Sequence, residues 1–215
     1  MKEDLHDNRK IYAKKSLLEE DLDNNPIHQF QKWFYDAKND DAIEEANAMT
    51  VTSVDEDGFP KTRVVLLKYY DEHGFVFYTN YESEKGKALS ANPKTCLNFF
   101  WPSLERQVII KGSAKRLSEK QSDEYFVSRP KGSQIGAMVS PQSQVISSRA
   151  VLEDRLAELE KEYASKPIER PKHWGGFIVK PQSIEFWQGR PNRLHDRFLY
   201  SSVNQNEWKI DRLAP

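Results

Sequence analysis

The chain has 215 residues and a formal net charge of −1, with 30% charged and 38% hydrophobic residues. That length allows one large domain or two small ones, and the near-zero charge gives no long-range attraction to nucleic acid or an anionic membrane. An aromatic share of 12% argues against disorder, and the single cysteine, Cys96, excludes an internal disulfide and a multi-cysteine metal site.

The start, "MKEDLHDNRK", is charged and lacks an apolar h-region, so no secretory leader is expected. No run approaches the roughly 18 apolar residues of a membrane span. A cytoplasmic protein is the expectation. Residues 1–25 carry no apolar period and read as a mobile arm ahead of a single domain over 26–215. Pro26 opens "PIHQFQKWFYDAK", where Ile27, Phe30, Trp33 and Phe34 fall at helical spacing.

Between Asn47 and Asn80, three β-rich runs are separated by the acidic, glycine-ended turns "DEDG" and "DEHG". They predict a three-stranded antiparallel meander. Ser83 is placed to cap a helix over "EKGKALSA" that Asn92-Pro93 stops. "TCLNFFW" and "RQVIIKGSAKRL" predict a strand pair. Ser118 caps "EKQSDEYFVSR", which ends at Pro130, and Ser133 follows in a loop. "SSRAVLEDRLAELEKEYAS" predicts the longest helix, with Val151, Leu152, Leu156 and Leu159 as its apolar stripe. The chain returns to β in "GGFIVKPQSIEFWQG", "RLHDRFLY" and "EWKIDRL". Six to eight strands without regular strand–helix alternation predict a mainly β, α+β fold. A closed or split antiparallel barrel with peripheral helices fits that pattern.

Familiar catalytic signatures are missing. There is no G-x-G-x-x-G, and "SEKGKAL" lacks the first glycine and the Ser/Thr of a P-loop. The five histidines show no zinc spacing, so no metal is expected. Cys96 sits in an apolar strand pattern and reads as a buried thiol. What remains is cationic. In "TRVVLLKYY", Arg63 and Lys68 face opposite sides under strict alternation, so a bulge or strand end must re-aim one if both serve one site. The alternative is an edge cation and a snorkelling one. Lys85 and Lys87 at a helix start suit either a phosphate or solvent. Tyr125 and Arg129, four apart on one helix face, converge with Ser133 on a possible small-anion pocket. In "RPNRLHDRFLY", period two puts Arg193, His195 and Arg197 on one strand face, about 6–7 Å apart. Three cations on a bare face repel one another, which asks for an anionic or electron-rich partner; a hydrated face relieved by Asp196 is the alternative.

The blocks "RVVLLK", "FYTN", "ERQV", "SRPKGSQIGAMVSPQS", "WGGF", "IEFWQG" and "NRLHDR…WKIDRLAP" together resemble the pyridoxamine (pyridoxine) 5′-phosphate oxidases, from about Arg9 to Pro215. The resemblance implies a homodimer of FMN-binding split β-barrels of antiparallel Greek-key type, with FMN at the interface. It implies oxidation of pyridoxamine 5′-phosphate or pyridoxine 5′-phosphate to pyridoxal 5′-phosphate, with O2 as acceptor and H2O2 as product. By matching positions, Arg63, Ser83, Glu84 and Lys85 would surround the FMN phosphate. Val64, Val65, Leu66, Leu67 and Lys68, with Tyr78 and Thr79, would flank the flavin. Gln107, Gln142, Ser143, Trp187 and Arg197 would complete that site, largely from the other subunit. Lys68, Tyr125, Arg129 and Ser133 would grip the substrate phosphate. Arg193 and His195 would sit over its ring as the catalytic pair, with Arg9 and Tyr12 closing from the arm. Glu84 departs from the Arg that the family commonly has there, and an inward carboxylate would weaken phosphate binding. A non-enzymatic split-barrel module holding flavin or a B6 phosphate is the competing reading. Nucleic acid and membrane are not expected partners.

Overall fold

The computed structural model describes residues 3–204 and 207–215. Its elements are α1 (Pro26–Lys38), β1 (Ala48–Val54), β2 (Pro60–Leu66), β3 (Tyr69–Asp71), β4 (Gly74–Asn80), α2 (Glu84–Ala91), β5 (Lys94–Trp101), β6 (Arg106–Arg116), α3 (Glu119–Ser128), α4 (Lys131–Val139), α5 (Ala150–Glu162), β7 (Trp174–Gln188), β8 (Asp196–Asn204) and β9 (Glu207–Arg212). The ladder runs β2-β1-β5-β6-β7-β4-β3, and β8 pairs with β7 and β9. The chain divides into two compact units, neither of them continuous in sequence. The first comprises Met1–Met49, Leu97–Lys111 and Pro181–Pro215, the second Thr50–Cys96 and Gly112–Lys180. The sequence offered no linker because the cuts fall at or inside strands. Among the described residues no helix is long and apolar enough to cross a membrane, and no group of three acidic, His or Cys side chains is placed to hold a metal.

In the first unit, α1 forms as its spacing predicts. Asn25 caps it by accepting the Ile27 N–H, and Pro26 occupies the first turn. Its apolar stripe is buried: Phe30 lies 5.0 Å from Phe99, and Trp33 meets Phe186 edge-on at 5.2 Å. The Arg106 guanidinium covers Trp33 at 4.4 Å and donates to Asp36 and to Gln188. From Lys10 onward the N-terminal segment lies against this unit. Lys14 N–H donates to the buried Glu105 carboxylate at 3.0 Å, Leu17 N–H to Asp196 at 3.1 Å, and the Leu17 side chain is buried.

In the second unit, β4 and β7 pair antiparallel from Phe75↔Val179 to Asn80↔Trp174. A cluster of Phe126, Ile135, Leu159, Ile168 and Trp174 joins α3, α4 and α5 to the end of that ladder. The predicted α5 stripe holds at Leu159, which is buried; Leu152 and Leu156 are half-buried, and Val151 is exposed.

Five expectations are corrected. The second β-rich run is two strands, because the chain breaks at Leu67–Lys68: Leu67 is buried, and Lys68 N–H donates to Val76 O at 2.8 Å. The meander therefore becomes two hairpins, with β2 and β4 not neighbours in the ladder. "KGSQIGAMV" is helix α4, not a loop; Gly132 and Gly136 dilute its helical signal by about 1 kcal/mol each. Arg129 lies just past the end of α3 in extended conformation, because Pro130 disfavours helical backbone in the residue before it, so Arg129 is not on the helix face it was assigned to. Arg193, His195 and Arg197 do not share a strand face, because β8 begins only at Asp196. Pro191–Arg193 form a tight turn in which Asn192 and Arg193 are left-handed, at φ 58° and 61°. Period-two alternation does not reach back through such a turn. Cys96 is half-buried on β5.

Gly86 in α2 sits where the helix presses on the end of β4. A Cβ there would lie 2.6 Å from Asn80 O and collide with the Tyr81 carbonyl. Main chain cannot give way cheaply, so Gly86→Ala is expected to cost about 1–3 kcal/mol and to lower the thermal midpoint by several degrees in calorimetry.

Candidate active site

The second unit encloses a cavity of about 620 Å³, ordinary for a small-molecule site. Val64, Val65 and Leu66 reach it from the end of β2, Tyr78 and Thr79 from β4, and Lys85 from α2. Tyr125, Arg129 and Ser133 line it from α3 and α4, and Gln142 from the segment beyond. The break after Leu66 resolves the alternation problem: outside a regular strand, Lys68 turns into the same cavity. Leu67 points to the core instead. Arg63 is not on the wall. Its Nη1 donates to Ser53 Oγ and to Lys61 O, both at 2.7 Å, and burial lowers its pKa.

Lys68, Lys85 and Arg129 line this cavity, and among the described residues none of the three is ion-paired with a carboxylate; two of them are drawn from water. Lys85 is buried, and its Nζ donates to Thr79 Oγ1 at 2.9 Å and Gln142 Oε1 at 3.1 Å. Burial, with Arg63 nearby as a second cause, brings its pKa down to about 8. Arg129 stands 4.5 Å over the Trp174 ring, and burial lowers its pKa too. Its Nη1 is fully enclosed and has no hydrogen-bond partner. A buried N–H left unmade is costly, and on a guanidinium it is best answered by an anion. Beside it, Tyr78 stacks on Tyr125 at 3.9 Å and on Trp174 at 5.4 Å. Burial raises the Tyr78 phenol's pKa, so it stays a neutral donor. Ser83 caps α2 by accepting the Gly86 N–H. Glu84 is exposed and paired with Lys61, which holds its carboxyl below the usual range. Neither Ser83 nor Glu84 lines the cavity.

A second cavity, about 630 Å³, lies in the first unit and gathers Arg9, Tyr12, Arg193 and His195. The Tyr12 ring meets Trp187 edge-on at 5.7 Å, and Trp187 lies 4.6 Å from His195. The left-handed turn brings Arg190 N–H to His195 Nδ1 at 3.1 Å. That bond makes Nδ1 the acceptor and leaves the proton on Nε2. Burial first, then the charges of Arg193 and Arg197, lower the His195 pKa, so the ring is neutral at pH 7. A turn, not a strand face, thus brings Arg193 and His195 to one cavity wall, and Arg197 does not line it. Arg197 is answered by Glu185 at 2.8 Å on β7.

Gln107 lines neither cavity; its Nε2 donates to Asn98 Oδ1 at 2.6 Å. Ser143 is exposed and left-handed, at φ 72°, next to Gln142. Sequence reasoning missed Lys61, Trp174 and Glu185. Glu185 alternates with Trp187 in "IEFWQG", which was its one available signal.

A model of the pyridoxamine 5′-phosphate oxidase family matches residues 35–163, and one of the pyridoxine 5′-phosphate oxidase C-terminal dimerisation region matches 174–215. The chain is 58% identical over 212 residues to a pyridoxine/pyridoxamine 5′-phosphate oxidase of Flavobacterium psychrophilum, covering 99% of each. It is 54% identical over 215 residues to that of Christiangramia forsetii, covering 100% of each. Among solved structures, PhzG of Burkholderia lata in complex with tetrahydrophenazine-1-carboxylic acid gives a TM-score of 0.86 at 26% identity, covering 95% of this chain and 100% of that one. A pyridoxamine 5′-phosphate oxidase-related, FMN-binding protein of Nostoc punctiforme gives 0.70 at 16% identity, covering 87% and 96%, and shares the fold. The expected split-barrel fold class is the one found. Because both family regions are matched and the relatives align end to end, the chain belongs to the pyridoxamine 5′-phosphate oxidase family.

Proposed function

We propose that the chain is an FMN-dependent oxidase that converts pyridoxamine 5′-phosphate or pyridoxine 5′-phosphate to pyridoxal 5′-phosphate, with O2 as acceptor and H2O2 as product. The observation that carries this reading is in the first cavity: a buried lysine, Lys85, and a half-buried arginine, Arg129, whose enclosed Nη1–H is unanswered, with no ion-paired carboxylate on either among the described residues. Such a cavity fits phosphorylated ligands, and its aromatic wall fits planar rings. FMN, when bound, supplies the two-electron acceptor that O2 regenerates.

The protein's share is binding and orientation. Lys85, with Arg63 behind it and the Ser83-capped start of α2, would hold the FMN phosphate. The backbone of residues 64–67, with Tyr78 and Thr79, would flank the flavin. Lys68, Tyr125, Arg129 and Ser133 would take the substrate phosphate, whose remote binding energy aligns the reacting carbon. Glu84 is compatible with this, because its carboxylate is engaged by Lys61. Arg193 and His195, covered by Arg9 and Tyr12, would act on the pyridine ring. His195 offers a neutral Nε2–H donor and Arg193 a fixed charge, so they orient the ring rather than serve as one obligatory base. The C-terminal dimerisation region supports a homodimer. In it, Gln107, Gln142, Ser143, Trp187 and Arg197 would complete the cofactor site, largely from the second protomer.

The direct test is the purified protein itself. It should be yellow, release FMN rather than FAD, and produce peroxide when pyridoxamine 5′-phosphate is added. Flavin without peroxide would favour a binding module instead. Arg129→Ala should raise KM for the phosphorylated substrate by about tenfold or more while FMN content stays near normal. A second expectation concerns pH. The folded apoprotein holds the Lys85 proton only to about pH 8, against 10.5 ordinarily. Its unfolded chain binds more protons in that window, so this group's contribution to stability rises from pH 8 towards 10.5. FMN binding needs the ammonium and runs the other way. Fluorescence titration of apoprotein should show FMN affinity flat below about pH 8 and falling above it, and Lys85→Met should flatten that profile.

A further inference from the structure

Arg197 is held from several directions by its own chain. Its Nε donates to Glu185 Oε1 at 2.8 Å on β7, and its Nη1 donates to Ala214 O at 2.8 Å. Its main-chain carbonyl accepts the Leu213 N–H at 2.9 Å. Register places Arg197 opposite Trp187, whose ring lies against His195. The Glu185 side chain is only 14% exposed. An arginine needs no carboxylate to be charged, so what Glu185 adds is direction. With Nε and Nη1 committed, Nη2 makes no hydrogen bond among the described residues. A long, flexible side chain has been reduced to one free edge.

We propose that Glu185 and the C-terminal Leu213–Ala214 segment are positioning elements that clamp Arg197 so that its Nη2 edge meets the bound flavin. This rests on the reading above, in which Arg197 contacts FMN. Neither Glu185 nor the C-terminal residues touch either reactant; they act through the guanidinium. The tail thereby serves the binding site as well as the fold. Two independent contacts hold the group, so each can be removed separately.

A double-mutant cycle on the full chain tests this, read by FMN affinity of apoprotein from quenching of flavin fluorescence and by kcat and KM on reloaded enzyme. Arg197→Ala should weaken FMN binding by about tenfold. Glu185→Gln, and truncation after Leu213, should each weaken it by about three- to tenfold. In the Arg197→Ala background neither should add more than about twofold, because the residue through which they act is gone. Full-sized losses in that background, or no loss in the wild-type background, would overturn the clamp. If Arg197→Ala itself binds FMN as the wild type does, the reading of Arg197 fails and the clamp fails with it. A loss for Arg197→Ala alone sinks the clamp and spares the reading. Thermal midpoints and particle size are recorded for every variant. If Glu185→Gln misfolds, the truncation decides alone.

Discussion

Positive charge buried without a counter-ion is the constraint around which this chain is arranged. Lys85 is buried and Arg129 half-buried, and among the described residues neither forms an ion pair with a carboxylate. Burial of that kind destabilises a fold unless something answers it. Neutral oxygens of Thr79 and Gln142 answer Lys85 in part, and an indole face answers Arg129 in part. The remainder is a standing demand for an anion. The acid next to Lys85 in sequence is led elsewhere: Glu84 pairs with Lys61. The surface and the turns absorb the negative charge, and the first cavity keeps its field.

Irregular backbone does most of the aiming. The broken run at Leu67–Lys68 lets a single β segment feed both the core and the cavity. The left-handed residues Asn192 and Arg193 fold a short stretch back so that an amide reaches His195. In both places the side chains of interest sit where a ladder ends, and in both the exposed main chain is satisfied by a specific partner.

These same places mark the limit of what the amino-acid sequence reveals. The helices α1, α2 and α3 were legible, because Pro26, Ser83 and Ser118 announce them and apolar spacing carries the first. The hairpin turns "DEDG" and "DEHG" were legible too. Helix α4 was not, since two glycines hide a segment that tertiary packing of Ile135 makes helical. The row Arg193, His195, Arg197 looked like strand alternation, yet proline and two left-handed residues produce the clustering. Which candidates share a cavity was beyond pattern reading altogether. Lys68 and Arg129 are 61 positions apart in the numbering, and only packing of α3 and α4 beside β4 unites them. The family resemblance supplied the residues; the separation into two cavities, and the acids that steer the cations, came from the fold.

Glu105 illustrates how such an arrangement distributes tolerance to change. Its enclosed carboxylate holds the N-terminal segment chiefly through the main-chain N–H of Lys14, with the Lys10 amine farther off at 3.6 Å. A peptide N–H is supplied by every residue except proline. Side-chain identity at position 14 is therefore nearly free to drift, whereas an imino acid there, or loss of the acid at 105, would untie the segment that carries Arg9 and Tyr12. Variation along this stretch is thus filtered by backbone chemistry, and a library randomised at residue 14 would return almost any amino acid but one.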